Sequence, residues 1–194
     1  MTEAGREGRL VLVTGGARSG KSSFAEQYVA SHGTKIAYIA TAQIFDDEMR
    51  YRVKLHRERR PASWQTYEAP LSAETAIAEA AKTHDTLLFD CLTVYLSNLL
   101  CQLPEEQLRD EAAVYRLAQD AAAKLIAAAQ ASGALCVFVT NEVGAGIVPE
   151  NALARLYRDI AGLTNQAFAR AAEAVYLTVS GMAINLKKLA EEPL

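Results

Sequence analysis

The stretch Gly15, Gly16, Ala17, Arg18, Ser19, Gly20, Lys21, Ser22 has the spacing G-x-x-x-x-G-K-[ST], which is suited to holding phosphate. Glycines let consecutive backbone N–H groups curl round an anion, and a helix N-terminus adds its partial positive charge. Lys21 can reach the β and γ oxygens of a nucleotide, and Ser22 can ligate Mg²⁺. Asp90 is a second candidate. It ends an apolar run, Thr86 to Asp90, where an acid can hold the hydration shell of Mg²⁺ or polarise a nucleophile; the same stretch through Cys91, Leu92 and Thr93 also reads as a helix start.

His56 is the third. It precedes Arg57, Glu58, Arg59 and Arg60 in the most cationic part of the chain, on an expected helix opened by Asp46, Asp47 and Glu48 and stopped by Pro61. Helical spacing puts Met49, Arg52, Val53, His56 and Arg60 on one face. An imidazole near a polyphosphate can act as base, acid or covalent nucleophile, and arginines beside it stabilise transition-state charge. Spacing alone favours the plainer reading, an exposed basic helix. His32, at a helix end, and His84, in a polar turn, read as structural.

The elements that must position these residues follow from hydrophobic periodicity. Apolar runs at 10–14, 35–40, 86–90, 135–140 and 175–180 read as strands, and 21–32, 46–60, 71–82, 108–131 and 149–172 as helices, the last starting at Pro149 and open to a break at Gly162. Such alternation predicts an α/β fold whose parallel sheet is covered on both faces. With the phosphate loop, it implies a three-layer P-loop NTPase of RecA-like type with a mainly parallel central sheet, one domain over residues 1–194.

Composition narrows the function. The 194 residues are 51% hydrophobic and carry a formal net charge of -3, so there is no overall positive field for nucleic acid or anionic membranes. No apolar run approaches the roughly 20 residues that cross a bilayer, and residues 1–9 are polar where a signal peptide is apolar, so a cytoplasmic protein is expected. Cys91, Cys101 and Cys136 form no CxxC pair and read as buried free thiols.

Together these residues resemble the bifunctional adenosylcobinamide kinase/adenosylcobinamide-phosphate guanylyltransferases. The resemblance runs from about residue 10 to 187. It is carried by Thr14 to Ser22, Tyr38 to Gln43, Asp46 to Met49, His56 with Arg60 and Pro61, Thr140 to Gly144, Gly146 to Glu150, Arg158 to Gly162, and Asn165 with Gln166. It implies that an NTP phosphorylates adenosylcobinamide and that GTP then gives GMP to the product through a guanylylated histidine, here His56. It further implies a GTP site including Thr41, Ala42, Gln43, Arg57 to Arg60, Glu68 and Asp90, Mg²⁺ held with the nucleotide by Ser22 and Asp90, and a homotrimer, with no tightly bound cofactor. No N-K-x-D motif selects guanine, so the GTP preference rests on resemblance. Rival readings are a monofunctional P-loop small-molecule kinase and a nucleotide-dependent switch or oligomeric NTPase.

Attack at the γ-phosphorus and attack at the α-phosphorus cannot both be in line in one pose. The expected solution is movement of the histidine helix, hinged near Pro61 and before Asp46.

Overall fold

The computed structural model describes residues 7–43, 47, 50, 51, 54, 57, 58 and 60–191. One sheet of seven strands organises them. In chain order the elements are β1 (Arg9–Gly15), α1 (Lys21–His32), β2 (Ile36–Ala40), β3 (Gln65–Glu68), α2 (Ala73–Ala80), β4 (Thr86–Asp90), α3 (Leu92–Cys101) and α4 (Glu105–Leu108). There follow α5 (Glu111–Ala131), β5 (Leu135–Val139), α6 (Ala152–Ala171), β6 (Ala174–Val179), β7 (Met182–Asn185) and a 3₁₀ turn, Leu186–Lys188. Between β2 and β3 the chain is helical at Asp47, Arg50, Tyr51, Lys54, Arg57 and Glu58.

The strand order is β3-β2-β4-β5-β1-β6-β7. All pairs are parallel except β6 with β7. Side chains alternate across each strand, so β1 feeds two cores. Leu10 and Leu12 pack with Ile77, Leu125, Phe138 and Phe168 beneath α2, α5 and α6. Val11 and Val13 pack with Ala25 and Val29 of α1 on the other face. These layers and the insertion of β5 between β4 and β1 make the three-layer, RecA-like arrangement that the sequence predicts.

The departures have local causes. Pro149 does not start the last long helix; Asn151 does, its side chain accepting the Ala154 N–H, a cap that proline cannot supply. Gly162 continues that helix without a break. The helix expected from Leu108 is divided, because Asp110 caps a new start by accepting from Ala113 N–H. Two strands escape the apolar-run reading. β3 is a polar edge strand, and β7 follows a two-residue hairpin with positive φ at Ser180 and Gly181. Cys91 and Cys136 are buried as expected, but Cys101 is exposed near the end of α3.

Candidate active site

Parallel strands present their carboxyl ends on one edge, and that edge is where an open α/β sheet binds ligands. Register lines up the ends here: Ala40 pairs with both Glu68 and Asp90, Asp90 with Val139, and Val139 with Val13, just before the phosphate loop. Thr41, Glu68, Asp90 and Gly15 to Ser22 thus converge on one crevice rim. Their positions in the chain are far apart.

The phosphate loop is held from within and from below. Lys21, only 9% exposed, donates from Nζ to the Gly16 carbonyl at 3.0 Å. Burial lowers its pKa, and the Asp90 carboxylate works in the opposite direction. Ser19 is buried, its Oγ 2.8 Å from Thr178 Oγ1 on β6, and the Gly181 N–H donates to the Ser19 carbonyl at 2.9 Å. Gly20 has a φ of 97°, and a Cβ there would lie 3.0 Å from the Gly181 Cα. The β6–β7 hairpin therefore buttresses the loop. Gly16, Ala17 and Arg18 face outward, and a Cβ on Gly16 would meet nothing within 4 Å, so its smallness is not required by the fold. Ser22 is half-buried in the first turn of α1, at the mouth of the loop.

Asp90 is half-buried and accepts a hydrogen bond from the Tyr38 hydroxyl at 3.1 Å. The peptide Asp90–Cys91 is cis, and Cys91 rather than Asp90 stands at the N-cap of α3. Burial pushes the Cys91 thiol up to about 11, so it is a neutral packing group. Beside it, Thr41 Oγ1 accepts from the Cys91 N–H at 2.8 Å. Asn98 Nδ2 donates to the Thr41 and Pro70 carbonyls at 2.7 and 3.0 Å. Ala42 and Gln43 continue from Thr41 at intermediate exposure.

Opposite them, Arg57 pairs with Glu68 at 2.8 Å, both side chains exposed, and the Arg60 guanidinium lies 3.5 Å from the centre of the Tyr38 ring. Glu58 is exposed on the same helical stretch and lies 3.7 Å from Lys54. His56 and Arg59 lie outside the described residues, as do Asp46, Met49, Arg52 and Val53 of the expected helix. His32 stacks on Tyr28 with ring centroids 4.1 Å apart and donates to its carbonyl, and His84 donates to Ala80. Both fit the structural reading.

The Asn141–Gly146 loop joins this rim. The Glu142 N–H donates to the Gly15 carbonyl at 3.0 Å, and Arg158 donates to the Gly144 carbonyl at 2.6 Å. Asn165 reaches the Asn141 carbonyl and accepts from Thr140. Asn141 donates to Thr93 Oγ1, and Tyr157 donates to the Thr93 carbonyl. Tyr38, Thr93, Asn98, Tyr157, Thr178 and Gly181 thus support the rim although sequence reading did not single out a role for them. A signal existed for two of them: Thr93 and Asn98 are polar interruptions of an otherwise apolar helix, and a buried polar residue needs a partner.

Among the described residues no group of His, Cys, Asp and Glu forms a metal site, and no helix is long and apolar enough to cross a membrane. Residues 11–186 match the family model described as cobinamide kinase / cobinamide phosphate guanyltransferase. The chain is 47% identical over 183 residues to the bifunctional adenosylcobalamin biosynthesis protein CobU of Salmonella typhimurium, with 92% of this chain and 99% of that protein covered. It is 44% identical to the Escherichia coli protein of the same name, covering 92% and 99% of the two chains. The bifunctional adenosylcobalamin biosynthesis protein CobP of Pseudomonas aeruginosa is 42% identical, with 91% and 96% covered. With the phosphate loop, the acid on β4 and the basic segment facing them across one rim, the chain belongs to the cobinamide kinase / cobinamide phosphate guanyltransferase family.

Proposed function

We propose that this single-domain enzyme carries out both reactions of the family at the crevice described above. In the first, the aminopropanol hydroxyl of adenosylcobinamide attacks the γ-phosphorus of an NTP and NDP leaves. In the second, His56 attacks the α-phosphorus of GTP, the bond to the β-phosphate oxygen breaks, and pyrophosphate leaves. The phosphate oxygen of adenosylcobinamide phosphate then displaces the histidine nitrogen, giving adenosylcobinamide-GDP and free His56. The observation carrying this reading is the convergence on one rim of the buried Lys21, Asp90, and a segment that places Arg57 and Arg60 against Glu68 and Tyr38.

In this reading Gly15 to Ser22 cradle the triphosphate, and Ser22 and Asp90 would hold the Mg²⁺ that neutralises its developing charge. Thr41 to Gln43, Arg57 to Arg60 and Glu68 line the GTP site. The enzyme works as a cytoplasmic homotrimer on small-molecule substrates.

Intact mass after incubation with GTP and Mg²⁺ tests the covalent step. The protein gains one GMP, and the His56→Ala variant gains none. No adduct in either, with and without adenosylcobinamide phosphate, would leave a P-loop kinase without a guanylyl-histidine.

A further inference from the structure

Tyr38 lies on β2, two residues before the strand ends, and is 5% exposed. Its ring packs in the apolar layer with Val11, Leu88 and Cys91, a place that phenylalanine would fill as well. The hydroxyl is what phenylalanine lacks. A buried hydroxyl is costly unless it is paired, and here it donates to Asp90 Oδ2 at 3.1 Å. The ring face is engaged too: the Arg60 guanidinium lies 3.5 Å from its centroid, within cation–π range.

One rigid side chain therefore touches the acid at the end of β4 with its tip and the last arginine of the basic segment with its face. We propose that Tyr38 is a positioning residue coupling the two reactions: its hydroxyl aims Asp90 at the nucleotide-bound Mg²⁺, and its ring seats the Arg60 end of the segment that carries His56. The proposal rests on the two-reaction reading above. Seating matters in that reading because Arg60 follows His56 by four residues in the chain. The two contributions are separable. The hydroxyl serves every step that needs Mg²⁺, and the ring serves guanylylation.

The test compares Tyr38→Phe and Tyr38→Leu in two assays on the full chain: GMP adduct formation from GTP by intact mass, and phosphorylation of adenosylcobinamide. Tyr38→Phe keeps the ring, so both rates fall together and their ratio stays at the wild-type value. In thermal melts with a non-hydrolysable GTP analogue, the Mg²⁺ concentration for half-maximal stabilisation rises severalfold. Tyr38→Leu loses the ring as well, and the ratio of guanylylation to kinase activity drops about tenfold, the size of a partly desolvated cation–π contact. Loss of folded protein lowers both rates equally and leaves the ratio unmoved.

An unchanged ratio in Tyr38→Leu or an unchanged Mg²⁺ requirement in Tyr38→Phe would each overturn the proposal. A wild-type enzyme that forms no adduct refutes the guanylyl-histidine instead. The Mg²⁺ requirement in the thermal melts then decides the role of Tyr38.

Discussion

Ser19 and Lys21 commit their polar atoms inside the protein, to Thr178 and to the Gly16 carbonyl, whereas Arg57 in the facing segment meets Glu68 at the surface. The phosphate loop is held by hydrogen bonds from the β6–β7 hairpin, through Thr178 and the Gly181 N–H. The basic segment is tied to the sheet through an exposed ion pair and through Arg60 on Tyr38. An exposed ion pair such as Arg57–Glu68 contributes about 0–1 kcal/mol. A loop fixed from within and a basic segment that meets the sheet partly at the surface suit an enzyme that must present the γ-phosphorus to one acceptor and the α-phosphorus to another.

The sharpest test of that division is His56→Ala. Guanylyl transfer should fall on the order of 10⁴-fold or more, as for other covalent nucleophiles, with kinase turnover within about tenfold of wild type. Equal loss of both activities in a folded variant would erase the distinction between the two regions.

Lys21→Met should lower both activities about 10²- to 10³-fold, because a donor aimed at developing phosphate charge is lost. It should not lower the melting temperature of the ligand-free protein, since burial already penalises the ammonium. Between the lowered folded value and the ordinary 10.5 the unfolded chain binds more protons, so stability rises with pH in that window. The Met variant should lose that rise in thermal melts. A variant that melts lower at neutral pH would show that Lys21 is structural first.

Asn98→Ala removes the donor to the Thr41 and Pro70 carbonyls and leaves them buried without it. The cost should be about 1–3 kcal/mol by chemical denaturation, with a raised KM for GTP. Arg57→Ala should cost less than about 1 kcal/mol, an effect that shrinks further at 1 M salt. If Arg57→Ala costs more stability than Asn98→Ala, the surface pair outweighs the buried amide. The smallest effect is chemical: at pH 8 a thiol reagent should label Cys101 and spare Cys91 and Cys136, whose burial raises both thiols to about 11.

Much of this fold was legible in the sequence. The five apolar strands and the helices covering them follow from side-chain period, a property of neighbouring residues. β3 was hidden because an edge strand has one face and one rim in water, so Gln65, Thr66 and Glu68 carry no apolar signal. β7 was hidden by its length of four residues, although Ser180 and Gly181 mark the turn before it. Asn151 outcompeted Pro149 as a helix start through one side-chain hydrogen bond that periodicity does not register.

By itself the sequence determined the phosphate loop, the acid on β4, the order of the main elements and the family, because each is written in residue types at short, regular spacing. The tertiary structure alone decided that the β6–β7 hairpin clamps Ser19, that Asn98 holds Thr41, and that Tyr38 stands between Asp90 and Arg60. Those contacts join residues 22 to 162 positions apart in the chain, brought together only by strand order and register. No local pattern encodes a partner that the sheet supplies.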